Sequence, residues 1–277
     1  MEVTVKELWN KNFSILLVGK FFSIFGNQVL TFALPLYILQ ISGSPGLFGA
    51  ILGLSFLPLA VTSPIGGIMA DRLKKQLIMF WLDATVTAII VLYMIISGMF
   101  GAVVPIIMVK LLALNAIQGI YVPAVQASTP LLVPEDKLVR ANSFIETVNT
   151  LANTAAPAAA GILLAGFGLY PILVVCAICF AITAVMDLLI RVPYKKQQGD
   201  KKILQLVKSD MIPALHYATK ENSTLVIIAI LMIIIPMFLS GVFAIGIPVF
   251  ITQNFGMGTE YAGIARAIGW SGEYSAA

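Results

Sequence analysis

Charge is scarce in this chain. Asp, Glu, Lys and Arg together make up 11% of the 277 residues and hydrophobic residues 59%, whereas a soluble domain carries about 25% charged residues. That deficit excludes a water-soluble globular domain and leaves an integral membrane protein. Histidine occurs once, at His216, so no histidine-based metal cluster can be assembled. Cys176 and Cys179 are the only cysteines, and both sit inside one apolar run. A disulfide scaffold is therefore not expected, and a Cys-x-x-Cys redox site lacks polar surroundings; the pair reads as buried structural thiols. No catalytic, cofactor-binding or metal-ligating constellation stands out, so an enzyme is not expected. The net charge of +4 is no nucleic-acid footprint, because its basic residues are confined to short loops.

What is present is a series of long apolar runs. About 20 apolar residues cross the hydrocarbon core, and seven segments qualify: Phe13–Leu39, Leu47–Ala70, Leu77–Ser97, Val103–Val125, Ser143–Ala165, Tyr170–Ile190 and Leu225–Ile251. Lipid offers unpaired backbone groups no partner, so each is expected to be a helix. The polar lead before Phe13 is not a cleavable signal peptide, since the apolar run after it is too long. The loops alternate in charge. Lys6 and Lys11, then Arg72, Lys74 and Lys75, then Lys137 and Arg140, then seven basic residues from Arg191 to Lys220 fall on one side. The intervening loops, Ile41–Gly46, Gly98–Ala102, Gly166–Leu169 and Thr252–Gly258, contain no Lys or Arg. The positive-inside rule then places the N-terminus in the cytoplasm.

This pattern predicts an all-α membrane protein in three parts: a six-helix bundle over 1–190, a cytoplasmic linker over 191–223, and the start of a second bundle over 224–277. In the linker, Ile203, Val207, Met211 and Leu215 recur at i+4, which suggests an amphipathic helix on the membrane surface, interrupted at Pro213. After Ile251, Tyr261–Trp270 begins like an eighth apolar helix but runs into a short polar end, as if cut off or frame-shifted.

Polar residues inside the spans fall on stripes at 100° per residue. Lys20, Ser23, Asn27 and Thr31 share one face of the first span, with Gln28 beside Asn27. Asn142, Glu146, Asn149 and Asn153 share one face of the fifth. On the fourth, Asn115 and Gln118 are neighbours, and Lys110 shares an adjacent face with Tyr121. Polar groups in hydrocarbon are costly unless paired or hydrated, so such stripes face either a cavity or a partner helix. Asn27, Gln28, Lys110, Asn115, Gln118, Asn149 and Asn153 are the candidate substrate pathway. Lys110 lies within partial snorkelling reach of the outer surface or lines an outer cavity where it attracts an anionic group. The third and sixth spans are nearly all apolar and are expected to face lipid.

Between the second and third spans, Gly66-Gly67 precedes Asp71-Arg72-Leu73-Lys74-Lys75. Gly67 is expected to permit close backbone approach where the second span leaves the membrane. The pattern Gly-x-x-x-Asp-Arg followed by basic residues resembles the corresponding loop of major facilitator superfamily transporters. Pro123-Ala124-x-x-Ala127-x-x-Pro130-x-Leu132-Val133-Pro134-x-x-x-Leu138-x-x-Ala141-Asn142 is similar to the loop between the fourth and fifth helices in the macrolide-efflux and enterobactin-exporter branch. Ser55-Phe56-Leu57-Pro58 and Asp83 extend the likeness. Ala156-Pro157-x-x-Ala160-Gly161 is similar to the Gly-Pro-x-x-Gly-Gly antiporter motif, where proline kinks the helix and small residues admit a neighbour. Two departures matter: exporters commonly carry Arg-x-x-Gln-Gly in the fourth helix, and here Asn115-x-x-Gln118-Gly119 lacks the arginine; and no carboxylate is expected mid-membrane, since Asp83, Glu146 and Asp187 all map nearer the cytoplasmic ends.

The resemblance implies a secondary active transporter of the cell membrane. It would export a lipophilic drug- or siderophore-like organic compound in exchange for protons, by alternating access of two bundles. On the resemblance, Gly67, Asp71, Arg72 and Lys75 form a conformational switch loop, Pro157 and Gly161 the antiporter-like motif, and Glu146 is the candidate for proton coupling. The residues also leave open that Glu146 pairs structurally with Lys20 or Arg140. Import of a lipid-like solute on the same fold, and a transport-incompetent fragment, are the alternatives. The expected partners are the small organic substrate, protons and the bilayer, with no nucleic acid.

Overall fold

The computed structural model describes residues 8–100, 104–193 and 245–275, and these are almost wholly helical. α1 is Lys11–Ser42, α2 Pro45–Ser55, α3 Leu57–Arg72, α4 Lys75–Phe100, α5 Val104–Leu132, α6 Leu138–Phe167, α7 Leu169–Leu189 and α8 Thr259–Ser275. Six of the described segments are long and apolar enough to cross a membrane, with α2 and α3 together making the second. The seventh expected span lies mostly outside the described residues, as do His216 and the linker segment of Ile203–Leu215. Its described end is the short helix Ile247–Val249 followed by a wider turn over Phe250–Asn254.

Local chemistry sets the ends. Asn10 caps α1 by accepting from the Phe13 amide at 3.0 Å, and its own amide donates to the Leu132 carbonyl at 2.7 Å, tying the start of α1 to the end of α5. Gly43, at φ 63°, terminates α1 in the left-handed conformation. Ser44 then caps α2 through the Leu47 amide at 3.2 Å. The second span breaks at Phe56 because Pro58 lacks the amide that would continue the ladder to Leu54. Gly168, at φ 75°, turns α6 into α7 in a single residue.

In span order, the first packs on the fifth and sixth, the second on the fourth, and the third on the fourth and sixth. Exchanging spans one, two and three for four, five and six maps this pattern onto itself. Because spans one and four run in opposite directions, the bundle is an inverted repeat of two three-span units. Its core forms two apolar clusters. One, toward the Gly43 end, gathers Val29–Leu39 of α1 with Ile90, Ile107 and Phe180; the other, toward the Asn10 end, gathers Phe13, Leu16, Met79, Val125 and Ile190.

Two expectations about the spans need correction. α4 and α7 do not simply face lipid: each exposes one apolar face (Leu92, Ile95 and Met99; Ile178, Val185 and Leu189) and packs the other against its neighbour. An apolar span has no moment to say how much of it is covered, so a lipid face and a core face read alike. The glycine of close approach is Gly66, not Gly67. A Cβ on Gly66 would meet Gly119 O and Ile120 Cα at 2.6 Å, whereas around Gly67 there is open space. α3 and α5 cross at Gly66 and Gly119, and Thr62 Oγ1 donates to Ala116 O there at 2.8 Å.

Candidate functional site

The stripes on α1 and α6 meet. Gln28 Nε2 donates to Asn153 Oδ1 across the seam between them, and Lys20 stands close enough to Glu146 to feel its charge. Asn149 donates to Glu146 Oε2 at 2.9 Å, and its own Oδ1 is buried without a hydrogen-bond partner. Asn27, Asn149 and Asn153 are half-buried, while Glu146 and Asn142 are exposed. The seam is thus part glue and part accessible polar surface. Arg140, the other expected partner of Glu146, lies over the Phe144 ring at 5.9 Å.

Three residues leave the pattern the helical wheels drew. Ser23 is fully buried and turns away from Asn27 to donate to Asp83 on α4 at 3.4 Å. Asn115 is 5% exposed and donates to Leu111 O within its own helix, while Gln118 one turn on is half-buried. Lys110 neither snorkels nor joins the asparagines. It is 3% exposed, with Nζ 4.6 Å from the centroid of Tyr93 and no hydrogen-bond partner. Past Tyr93, toward the Gly43 end of the bundle, lies an open cavity of about 250 Å³ lined by Tyr37, Tyr93, Ser97, Leu169, Tyr170 and Leu173. The stripes missed one feature altogether: Asp83 and Asp187 come together in the core. The only hint was an acid in the third and sixth spans, nearer the Lys75 and Arg191 ends, which matters only once α4 and α7 are known to pack.

The loop between α3 and α4 is two residues long, Leu73 and Lys74. Asp71 is exposed and Arg72 and Lys75 are half-buried, so the charges gather at the turn where the second span ends. Cys176 and Cys179 are buried and free, as expected. Among the described residues no group of acids, histidines and cysteines could hold a metal ion.

The antiporter-like segment of α6 is occupied by a helix from beyond the linker. Pro157, Ala160 and Gly161 are buried against α8. A Cβ on Gly161 would meet Thr259 O at 2.5 Å and Gly263 Cα at 3.0 Å, and one on Gly263 would meet Pro157 O at 2.3 Å. Thr259 Oγ1 donates to Gly161 O at 3.3 Å. The two backbones therefore touch at a paired glycine crossing, which only glycine allows. α8 itself runs to Ser275 rather than ending near Trp270.

The model of the Major Facilitator Superfamily matches residues 16–272. Among curated proteins, the chain is similar to macrolide efflux protein A of Streptococcus pyogenes, at 25% identity over 185 residues, covering 67% of this chain and 46% of that protein. The protein of the same name in Enterococcus faecalis is 28% identical over 140 residues, covering 50% of this chain and 43% of that one. Multidrug resistance protein MdtG of Salmonella arizonae is 29% identical over 184 residues, covering 63% and 44%. The chain spans about half the length of the curated relatives it matches.

Proposed function

The chain belongs to the Major Facilitator Superfamily, and from that premise we propose that it is the first bundle, with the opening helices of the second, of an exporter. The cargo is a lipophilic organic compound of drug, macrolide or siderophore type, moved against an inward flow of protons by alternating access in the cell membrane. The bundle spans 1–190, the linker 191–223 and the second bundle begins at 224, with the N-terminus cytoplasmic. The observation that carries this reading is the glycine crossing of α6 and α8. It holds a helix from beyond the linker against Pro157 and Gly161, where two rocking bundles would have to meet, so the segment is a seam between moving parts. The relatives named for macrolide efflux and multidrug resistance support the substrate class and the outward direction.

On this reading the half-buried asparagines of α1 and α6, with Gln28 and Gln118, line the cargo's path. Gly67, Asp71, Arg72 and Lys75 form the switch loop, and Glu146, beside Lys20, is a candidate for proton coupling. Lys110 and Asn115 lie in the bundle core instead. Everted vesicles from cells producing a two-bundle exporter, with this chain supplying the first bundle and the opening helices of the second, test the proposal. Accumulation of a labelled macrolide there should depend on the proton gradient and fall in Asp71→Asn, whereas the chain alone, with one bundle and nothing to rock against, should accumulate no more than vesicles lacking it. No accumulation by the two-bundle protein would overturn the exporter reading, and accumulation by the chain alone would overturn its being one part of a two-bundle carrier.

A further inference from the structure

Two carboxyl groups sit where the core can least hold charge. Asp83 of α4 and Asp187 of α7 are 1% and 2% exposed, and they neighbour each other where α4 packs on α7. An ionised carboxylate only accepts, so two side by side cannot satisfy one another; one proton lets one donate to the other. The neighbours supply little in its place. From α1, Ser23 Oγ donates to Asp83 Oδ1 at a long 3.4 Å. From α5, the Tyr121 hydroxyl faces the pair and Ser23. Thr183 of α7 donates to the Gly19 and Cys179 carbonyls, and Thr87 of α4 to the Asp83 carbonyl, so neither serves a carboxyl group. The charge that bears on Asp83 is that of Asp187 rather than of a lysine or arginine, and Lys20, one turn from Ser23, is engaged by Glu146. Oδ2 of each aspartate is buried with no hydrogen-bond partner.

The location adds meaning. The pair lies between the two apolar clusters, where α1, α4, α5 and α7 meet, with Met79 and Ile190 on one side and Val86 and Phe180 on the other. Close by, Gln76 of α4 accepts from the Val192 amide at 3.3 Å, clasping the start of α4 to the chain leaving α7. The Arg191 amide is held likewise by Asn12 at 3.1 Å.

The geometry points to a proton-binding site: Asp83 and Asp187 share one proton, and its release forces the cytoplasmic ends of α4 and α7 apart. In that step one carboxyl O–H bond breaks, the proton passes to water, and the electron pair stays on the aspartate. Two adjacent carboxylates then repel one another in a low-dielectric core. The shared proton stands on two buried carboxyls with unpartnered Oδ2 atoms on packed helices; that a proton gradient drives transport through it rests on the exporter reading above.

Infrared spectroscopy of the purified chain in lipid nanodiscs, labelled with carbon-13 at its aspartate carboxyls, tests the site without any substitution. At neutral pH one isotope-shifted band of a protonated carboxyl per chain is expected. The double variant D83N/D187N should lose it, and the single variants should shift it. Alkaline titration should remove the band while hydrogen exchange at the Val192 amide, bonded to Gln76 of α4, rises beyond its base-catalysed intrinsic rate. Absence of an isotope-sensitive protonated band in the wild type overturns the shared proton. Loss of the band with exchange at Val192 that rises only as the intrinsic rate does overturns the separation of α4 and α7. A normal band, together with no proton-driven uptake by a two-bundle exporter that carries this chain as its first bundle, counts against the exporter reading and leaves the site standing.

Discussion

Replacing Gly161 by Ala isolates the contact on which the two-bundle reading depends. The added Cβ would lie 2.5 Å from Thr259 O and 3.0 Å from Gly263 Cα. Both are backbone atoms, so no side chain can swing away to make room. Restoring an ordinary contact requires α8 to retreat from α6 by roughly 1 Å, and the Thr259 to Gly161 bond, already 3.3 Å, would be lost with it. Overpacking of this kind costs about 1–3 kcal/mol, which weakens docking of α8 roughly 5- to 150-fold. Thr259 is 2% exposed, so a Thr259→Cys thiol reports the opening. With Cys176 and Cys179 replaced by Ala, its rate of modification by a small maleimide should rise by that factor in Gly161→Ala. Gly166→Ala is the control, because Gly166 lies on the same helix and a Cβ there meets nothing within 4 Å. Equal rates in the two variants would mean that α8 does not rest on α6 in solution, and the argument for a bundle seam would fail.

Four other measurements follow from the same geometry. Gly66→Ala should lower the thermal midpoint, with a loss of about 1–3 kcal/mol from clash with Gly119 O, while Gly67→Ala should be neutral or stabilise by up to about 1 kcal/mol through helix propensity; the reverse order would contradict the α3–α5 crossing. Lys110→Met keeps the apolar stem and removes a buried ammonium that has no hydrogen-bond partner, so stability should rise by about 1–3 kcal/mol, and a fall would show that the Tyr93 face holds the charge well. A double-mutant cycle of Gln28→Ala and Asn153→Ala should give a coupling near 0.6 kcal/mol, the usual worth of a hydrogen bond between membrane helices; no coupling would make the seam a hydrated groove. Single cysteines at Gly43 and Gly101 should react with an impermeant reagent added outside cells, and those at Lys75 and Lys202 should not; labelling of the latter pair would invert the topology.

The sequence by itself determined that the chain is helical, how many spans the first bundle has, and where they turn. Lipid leaves the backbone no alternative to the helix, and Gly43 and Gly168 fall within the loops read from the sequence, Ile41–Gly46 and Gly166–Leu169; the break at Phe56 is a departure, since Leu47–Ala70 reads as one span. Sequence motifs also sufficed to suggest the family, and the stripes on α1 and α6 located a real polar seam. What it could not determine was which helix meets which face. Gly66 and Gly67 read alike until α5 is laid against α3, and only one then finds Gly119. Ser23 lies on the same wheel as Asn27, yet sits far enough round the helix to reach Asp83. Asp83 and Asp187 are 104 positions apart in the chain, and each alone reads as an acid near a membrane surface. In an apolar span every face has the same affinity for lipid, so the hydrophobic pattern that sets inside from outside in water is silent here. Packing of α4 against α7 decides instead, and it is that packing which brings the two carboxyls together.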